Sequence, residues 1–309
     1  MAQRYDALVI GPYFCDMVFT GLSEVPQVGR DVFSRGFEIV PGGTFYTVLA
    51  LHRLGVKVGW VVRLGNDLFS QFMRDQMAAE GIDMGLLQTH DFPVRRVAAS
   101  FSFEHDRGFV SYVDPFDEPV PVEVIARHAP RCVVVPGLFF WPQIEAISQI
   151  KRQTNFDILL DCQHTALTLD TPGLADALRR ADVFMPNEVE ALHLTGEPTV
   201  ERALARLAGI VPLAVIKRGA NGAIARRGDE IAAAPALNTQ VVDTTGAGDC
   251  FNAGFIFGLL RGDPLELCLR YGNITGGLST TAPGAKAVPD LARALEIAQQ
   301  YERHARPSS

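Results

Sequence analysis

Residues Val241 to Gly254, VVDTTGAGDCFNAG, carry the most informative spacing in the chain: an extended apolar run meets a Gly-Ala-Gly turn and continues into an apolar helix. Backbone N–H groups at a helix start have no partner within the helix and face outward with the positive end of its dipole. The turn Gly246-Ala247-Gly248 can therefore hold phosphate oxygens and stabilise charge that develops on them. Asp249 follows in the first helical turn. A carboxylate there can take the proton of a hydroxyl whose oxygen attacks the held phosphoryl group. The plain alternative is a glycine turn behind a helix that Asp249 merely caps. A dinucleotide-binding turn fits less well, because the third glycine position of G-x-G-x-x-G is Phe251 and the segment lies late in the chain rather than opening its first β-α-β unit. The phosphate-loop pattern G-x-x-x-x-G-K-[ST] does not occur.

Such a turn needs a sheet edge to sit on. Short apolar runs at Tyr5–Gly11, Val58–Val62, Cys132–Val135, Phe156–Leu160, Val183–Met185 and Leu213–Ile216 read as strands buried on both faces. Helical patterns lie between them at Thr47–Leu54, Phe69–Glu80, Ile144–Lys151, Leu174–Arg180, Val189–Leu194 and Val200–Ala208. The alternation predicts an α/β fold with a mostly parallel, doubly wound sheet. Two stretches break it, Phe14–Val40 and Arg95–Tyr112; in the second, Val97–Phe103 and Phe109–Val113 flank a polar turn at Glu104–Gly108. Both read as antiparallel ribbon outside the main sheet. Helices are expected at Gly246–Leu260, Pro264–Thr280 and Asp290–Gln299, ahead of a polar tail at His304–Ser309. The economical organisation is one domain over 1–309 with a small β lid, formed by about 12–40 and 94–114 and hinged at Pro41-Gly42-Gly43.

The 309 residues are 48% hydrophobic, with a formal net charge of −7 and a pI near 5.5. That balance argues against a general nucleic-acid or anionic-membrane binder, which needs concentrated basic surface. The start MAQRYDALVIG lacks the pattern of a signal peptide, and no apolar run approaches the ~20 residues of a membrane span, so a soluble, cytoplasmic protein is expected. Five scattered cysteines without a C-x-x-C pair suit buried thiols, and the seven histidines show no ligand spacing.

DTTGAGDCFNAGF closely resembles the C-terminal signature of the ribokinase-like, or PfkB, carbohydrate kinases, and other family landmarks follow in order along nearly the whole chain. They are Asp16, the pair Gly42-Gly43, the helix end Arg53-Leu54-Gly55, the turn Gly65-Asn66-Asp67, the N-x-x-E positions Asn187 and Glu190, and Lys217-Arg218-Gly219-Ala220-Asn221-Gly222. The resemblance implies a three-layer α/β/α sandwich with a mostly parallel central sheet and a small β lid over the substrate. By position it makes Asp249 the catalytic base and the amides of Gly246, Ala247 and Gly248 the anion hole. Asn187 and Glu190 would organise Mg2+ and phosphate, or simply cap their own helix. Gly219 and Gly222 would admit ATP, Asn273 would lie on the adenine side or on a helix surface, and Lys217 would neutralise phosphate charge or end a solvated strand. Asp16 would accept hydrogen bonds from two substrate hydroxyls, beside Gly42 and Gly43, or cap a turn in the ribbon. Asp243, Thr245, Ala282 and Gly284 resemble a monovalent-cation site suited to K+.

One departure falls on the substrate side: relatives carry an Asn about four residues after the glycine pair, where Tyr46 or Thr47 stands here in a loop one residue shorter. Arg95 and Arg96 could meet an anionic group of the substrate. The leading expectation is ATP-dependent phosphorylation of a sugar or sugar-derived hydroxyl. A nucleoside kinase of the same fold and a catalytically silent ligand sensor are the alternatives. A homodimer through the lid is also expected, because its period-two apolar pattern would otherwise leave one face wet.

Overall fold

The computed structural model describes residues 5–25, 28–102, 107–115, 121–163, 166–284 and 286–305. The apolar runs become strands of one eight-stranded sheet. Its order is Glu230–Ala234, Ala223–Arg227, Leu213–Lys217, Val183–Phe184, Asp157–Leu160, Cys132–Val135, Ala7–Ile10, Val58–Val61. The last six are parallel and the first two join antiparallel at one edge. The strand faces alternate between two cores. Ala7, Val9, Trp60, Val134, Leu159 and Val215 pack with the helices Phe45–Arg53, Leu68–Glu80, Ala247–Arg261 and Leu265–Ser279. Leu8, Ile10, Val133, Leu160, Phe184 and Ile216 pack on the other side with Ile144–Thr154, Leu174–Leu178, Glu188–Thr195 and Val200–Ala208. The protein is thus an α/β/α sandwich.

Several features differ from the sequence reading, among them a helix at Val122–His128 that was not expected. The hairpin Ala223–Arg227 and Glu230–Ala234 extends the sheet where no strand was expected; its alanines are weak strand formers, and pairing with Leu213–Lys217 supplies what propensity does not. The small sheet is also not purely antiparallel. Tyr13–Thr20 runs antiparallel to Gly36–Gly43 and parallel to Arg96–Ser102, which pairs with Arg107–Val113, so that one mixed four-stranded sheet results. Residue 103 of the expected Val97–Phe103 run, 104–106 of the expected Glu104–Gly108 turn and 306–309 of the expected tail lie outside the described residues, while 304–305 of that tail still belong to the helix Leu291–Ala305.

On one face of this small sheet Phe19 meets Phe37 and Phe101, with ring centroids 4.9 and 5.6 Å apart, and Phe37, Ile39, Val110 and Tyr112 remain exposed. The opposite face carries Asp16, Ala98 and Arg96. Asp67 fixes the small sheet to the core: its carboxylate caps the 68–80 helix at Phe69 N and Ser70 N and accepts from Val94 N at 2.9 Å, next to the 96–102 strand. All five cysteines are free and buried, and burial pushes their thiol pKa values up. Among the described residues no helix is long and apolar enough to cross a membrane.

Candidate active site

The phosphate-type turn forms where the 247–261 helix begins against the C-terminal ends of the parallel strands. Gly246 holds the N-cap position at φ +71°, a conformation glycine accepts readily. A Cβ there would overlap the Tyr46 ring, so glycine is required twice over. No side chain caps this helix. The Ala247 amide donates to the Thr244 carbonyl at 3.3 Å, which commits it to closing the turn. Asp249 accepts a hydrogen bond from Thr47 Oγ1 at 3.1 Å, across 202 residues of sequence.

Asp249 sits beside a buried charge cluster that sequence reasoning did not find. Asp161, at the end of the 157–160 strand, accepts from Lys217 Nζ at 2.8 Å and from Asn252 Nδ2 at 2.7 Å. Burial, then the nearby Asp161 carboxylate, pushes the Asp249 pKa up to about 7, against the opposing pull of Lys217 and Thr47. For Lys217 burial favours the neutral amine, but Asp161 more than offsets it, and the pKa is raised. A lone Asp after Leu-Leu gives no motif signal, and its partners are 56 and 91 residues away.

Two cavities meet at this point. The larger, about 540 Å³, is lined by Gly219, Gly222, Leu237, Phe251, Asn273 and Gly277 among others, an apolar slot that would accept a planar base. The second, about 320 Å³, is polar and lined by Asp161, Gln163, Asn187, Glu190, Gly219, Lys217, Gly248 and Asp249. Lys217, Gly219 and Gly248 border both. Asn187 and Glu190 cap their own helix in a reciprocal capping box, Asn187 N donating to Glu190 Oε2 at 2.8 Å and Glu190 N to Asn187 Oδ1 at 2.9 Å, and both also line this cavity. Asn273 is buried rather than on a helix surface. It donates from Nδ2 to the carbonyls of Ala234 and Pro235, both at 3.0 Å, and so ties the hairpin edge to the cavity wall.

The remaining candidates gather under the small sheet. A Cβ at Gly42 would overlap the Asp16 carboxylate, whose pKa burial and then Asp243 push up to about 7. Gly43 follows at the strand end. Tyr46 is buried, its hydroxyl has no hydrogen-bond partner, and burial together with Asp16, Asp243 and Asp249 pushes its pKa far up. Arg96 is 7% exposed, whereas Arg95 lies on the surface, paired to Asp114 at 2.9 Å. Asp243 Oδ1 accepts from Thr245 N and Oγ1 at 2.9 and 2.8 Å, and Oδ2 from Gly284 N at 3.2 Å, so Asp243, Thr245 and the turn holding Ala282 and Gly284 form one unit. Among the described residues no cluster of three or more His, Cys, Asp or Glu side chains could cage a metal ion. The acidic groups around Glu190 suit instead a Mg2+ held mainly by phosphate oxygens and water.

An α/β/α sandwich with a glycine turn and a half-buried carboxylate at the head of a helix, where an apolar slot opens into a charged cavity, defines a phosphotransferase acting on an alcohol group. The comparisons with known proteins agree. Residues 142–291 match the model of the pfkB family carbohydrate kinases. A Klebsiella pneumoniae fructokinase is 31% identical over 285 residues, covering 82% of this chain and 92% of the relative. A Bacillus subtilis ribokinase is 28% identical over 286 residues, covering 90% and 94%. Among solved structures, an E. coli candidate ribokinase II in complex with ATP and Mg2+ superposes with a TM-score of 0.80 at 24% identity, over 96% of this chain and 99% of the other. The chain belongs to the ribokinase-like pfkB family of carbohydrate kinases.

Proposed function

We propose that the protein transfers the γ-phosphoryl group of ATP to a hydroxyl of a sugar or sugar-derived small molecule, with Asp249 as base and the Gly246 and Gly248 amides as anion hole, while the Ala247 amide closes the turn. The observation that carries this reading is that Gly248 borders both cavities while the adjacent Asp249 lines the polar one. ATP would lie with its base in the 540 Å³ slot, walled by Gly219, Gly222 and Asn273, and its phosphates toward Gly248 and Lys217. Asp249 takes the proton from the acceptor hydroxyl as that oxygen bonds to the γ-phosphorus. The bond from phosphorus to the β–γ bridging oxygen breaks, and ADP leaves. Glu190 and Asn187 would hold Mg2+ through water, and when bound the ion neutralises phosphate charge.

On the acceptor side Asp16 would accept from two hydroxyls, with Gly42 leaving room for its carboxylate and Gly43 for the backbone of Pro12 to Phe14. Tyr46 would close the pocket floor in place of the family's Asn. Arg96, on the same face of the small sheet as Asp16, would meet an anionic group of the acceptor. ADP release across neutral sugars, sugar acids, sugar phosphates and nucleosides tests the reading, with turnover expected on a sugar or sugar acid. Turnover on nucleosides alone would replace the acceptor class, and none on any acceptor would sink the kinase reading. Run in Na+ and in K+ at constant ionic strength, the same assay should be faster in K+ if Asp243, Thr245, Ala282 and Gly284 hold that ion; equal rates would remove it.

The small sheet is also proposed as a lid and as a dimer contact. Phe37, Ile39, Val110 and Tyr112 form an exposed apolar face that a second copy would cover. Sedimentation at micromolar concentration should show a dimer; a monomer with and without ligands contradicts this.

A further inference from the structure

Lys217, Asp161 and Asn252 form a closed ring of hydrogen bonds in which each side chain touches the other two. Lys217 Nζ donates to Asp161 Oδ1 at 2.8 Å and to Asn252 Oδ1 at 3.2 Å, and Asn252 Nδ2 donates to Asp161 Oδ2 at 2.7 Å. The three come from the ends of two parallel strands and the second turn of the helix behind the phosphate-type turn. The Cys162 amide donates to Asp161 Oδ1 at 2.8 Å, which fixes the carboxylate further. The Lys217 and Asp161 side chains are only 10% and 11% exposed.

A buried ion pair is weak evidence of a contribution to stability, because the cost of desolvating both charges rivals their attraction. Its location says more. Lys217 borders both cavities, and its Nζ lies 3.6 Å from where a Cβ on Gly248 would stand, so the ammonium faces the turn. An ammonium has three donors, and the ring takes two of them. A free lysine head on its four-carbon stem would have to be ordered at the moment of reaction; one held in advance stabilises developing charge without reorganisation.

We infer that Asp161 and Asn252 are positioning residues that hold the Lys217 ammonium beside the Gly248 turn, so that the transferring phosphoryl group meets a fixed cation as well as backbone amides. This rests on the reading of the groove as the ATP site. The test is a double-mutant cycle on Lys217→Met and Asp161→Asn, with Asn252→Ala as a variant that removes a hydrogen bond from each charge but leaves neither without its counter-charge. The readouts are kcat, acceptor KM, and calorimetric binding of ADP and of a non-hydrolysable ATP analogue.

Lys217→Met should lower kcat ~10²–10³-fold. Asp161→Asn and Asn252→Ala should each lower it ~10–100-fold at unchanged acceptor KM, the effect of a lost hydrogen bond to a charged group. The double variant should be no worse than Lys217→Met, since without the ammonium there is nothing left to position. Binding of the ATP analogue should weaken more than binding of ADP. Additive losses in the double variant, or equal loss of ADP and analogue affinity, would overturn the positioning role while the ATP reading stands. A wild-type protein that binds neither nucleotide would overturn both.

Discussion

Asp249→Asn is expected to lower kcat by ~10²–10⁴-fold, the usual contribution of a general base, while nucleotide affinity changes little. The same substitution should stabilise the protein without ligands. Its carboxyl is held at about 7, above the ordinary 3.8, chiefly by burial. Between those values the folded state binds more protons than the unfolded one, so the contribution of Asp249 to stability declines as pH rises through that window. Asparagine does not titrate. Asp249→Asn should therefore melt higher than wild type at pH 8, with the gain vanishing toward pH 4. Near-native kcat on the true acceptor would remove Asp249 as base, and an unchanged melting temperature at pH 8 would show that its burial carries no cost.

Asp16→Ala should lower kcat/KM for the acceptor by ~10²–10⁴-fold, because two hydrogen bonds to a charged group are each worth about 1.5–3 kcal/mol. ATP analogue binding should be untouched. Gly42→Ala offers an independent route to the same defect, since its Cβ would overlap the Asp16 carboxylate and turn it out of place. The two variants should show the same loss of acceptor affinity, and the combination should be no worse than Asp16→Ala alone. If Gly42→Ala is impaired but Asp16→Ala is not, the glycine pair shapes the pocket and the carboxylate is not its reader.

Much of the architecture was legible because the parallel strands are buried on both faces and so spell out continuous apolar runs, while Asn187 marks a helix start by its cap; the cap that Asp67 supplies to the 68–80 helix was not read from the sequence. The edge hairpin was not legible. AIARR and EIAAA carry little strand propensity, and only the register with Leu213–Lys217 explains them. In the site, residues close in sequence announced themselves: Gly246 to Asp249 is a local pattern, and so is the capping box. Asp161 and Asn252 did not, since what makes them notable is their meeting at Lys217 in space. Arg95 and Arg96 are neighbours in sequence, yet strand alternation places one on the surface with Asp114 and the other in the interior.

The hydrogen bond from Thr47 to Asp249 has a consequence for how the protein is made. Its two ends are 202 residues apart, and at translation rates of ~5–20 residues per second Thr47 is synthesised roughly 10–40 s before its partner. The 45–53 helix packs against the 247–261 helix in one core, so through that interval its apolar side has no final cover. A ribosome stalled before residue 247 would carry a chain with all six of its parallel strands synthesised and no complete glycine turn. The unfinished protein is therefore inactive and sticky at once, and synthesis of the 247–261 helix removes both conditions together.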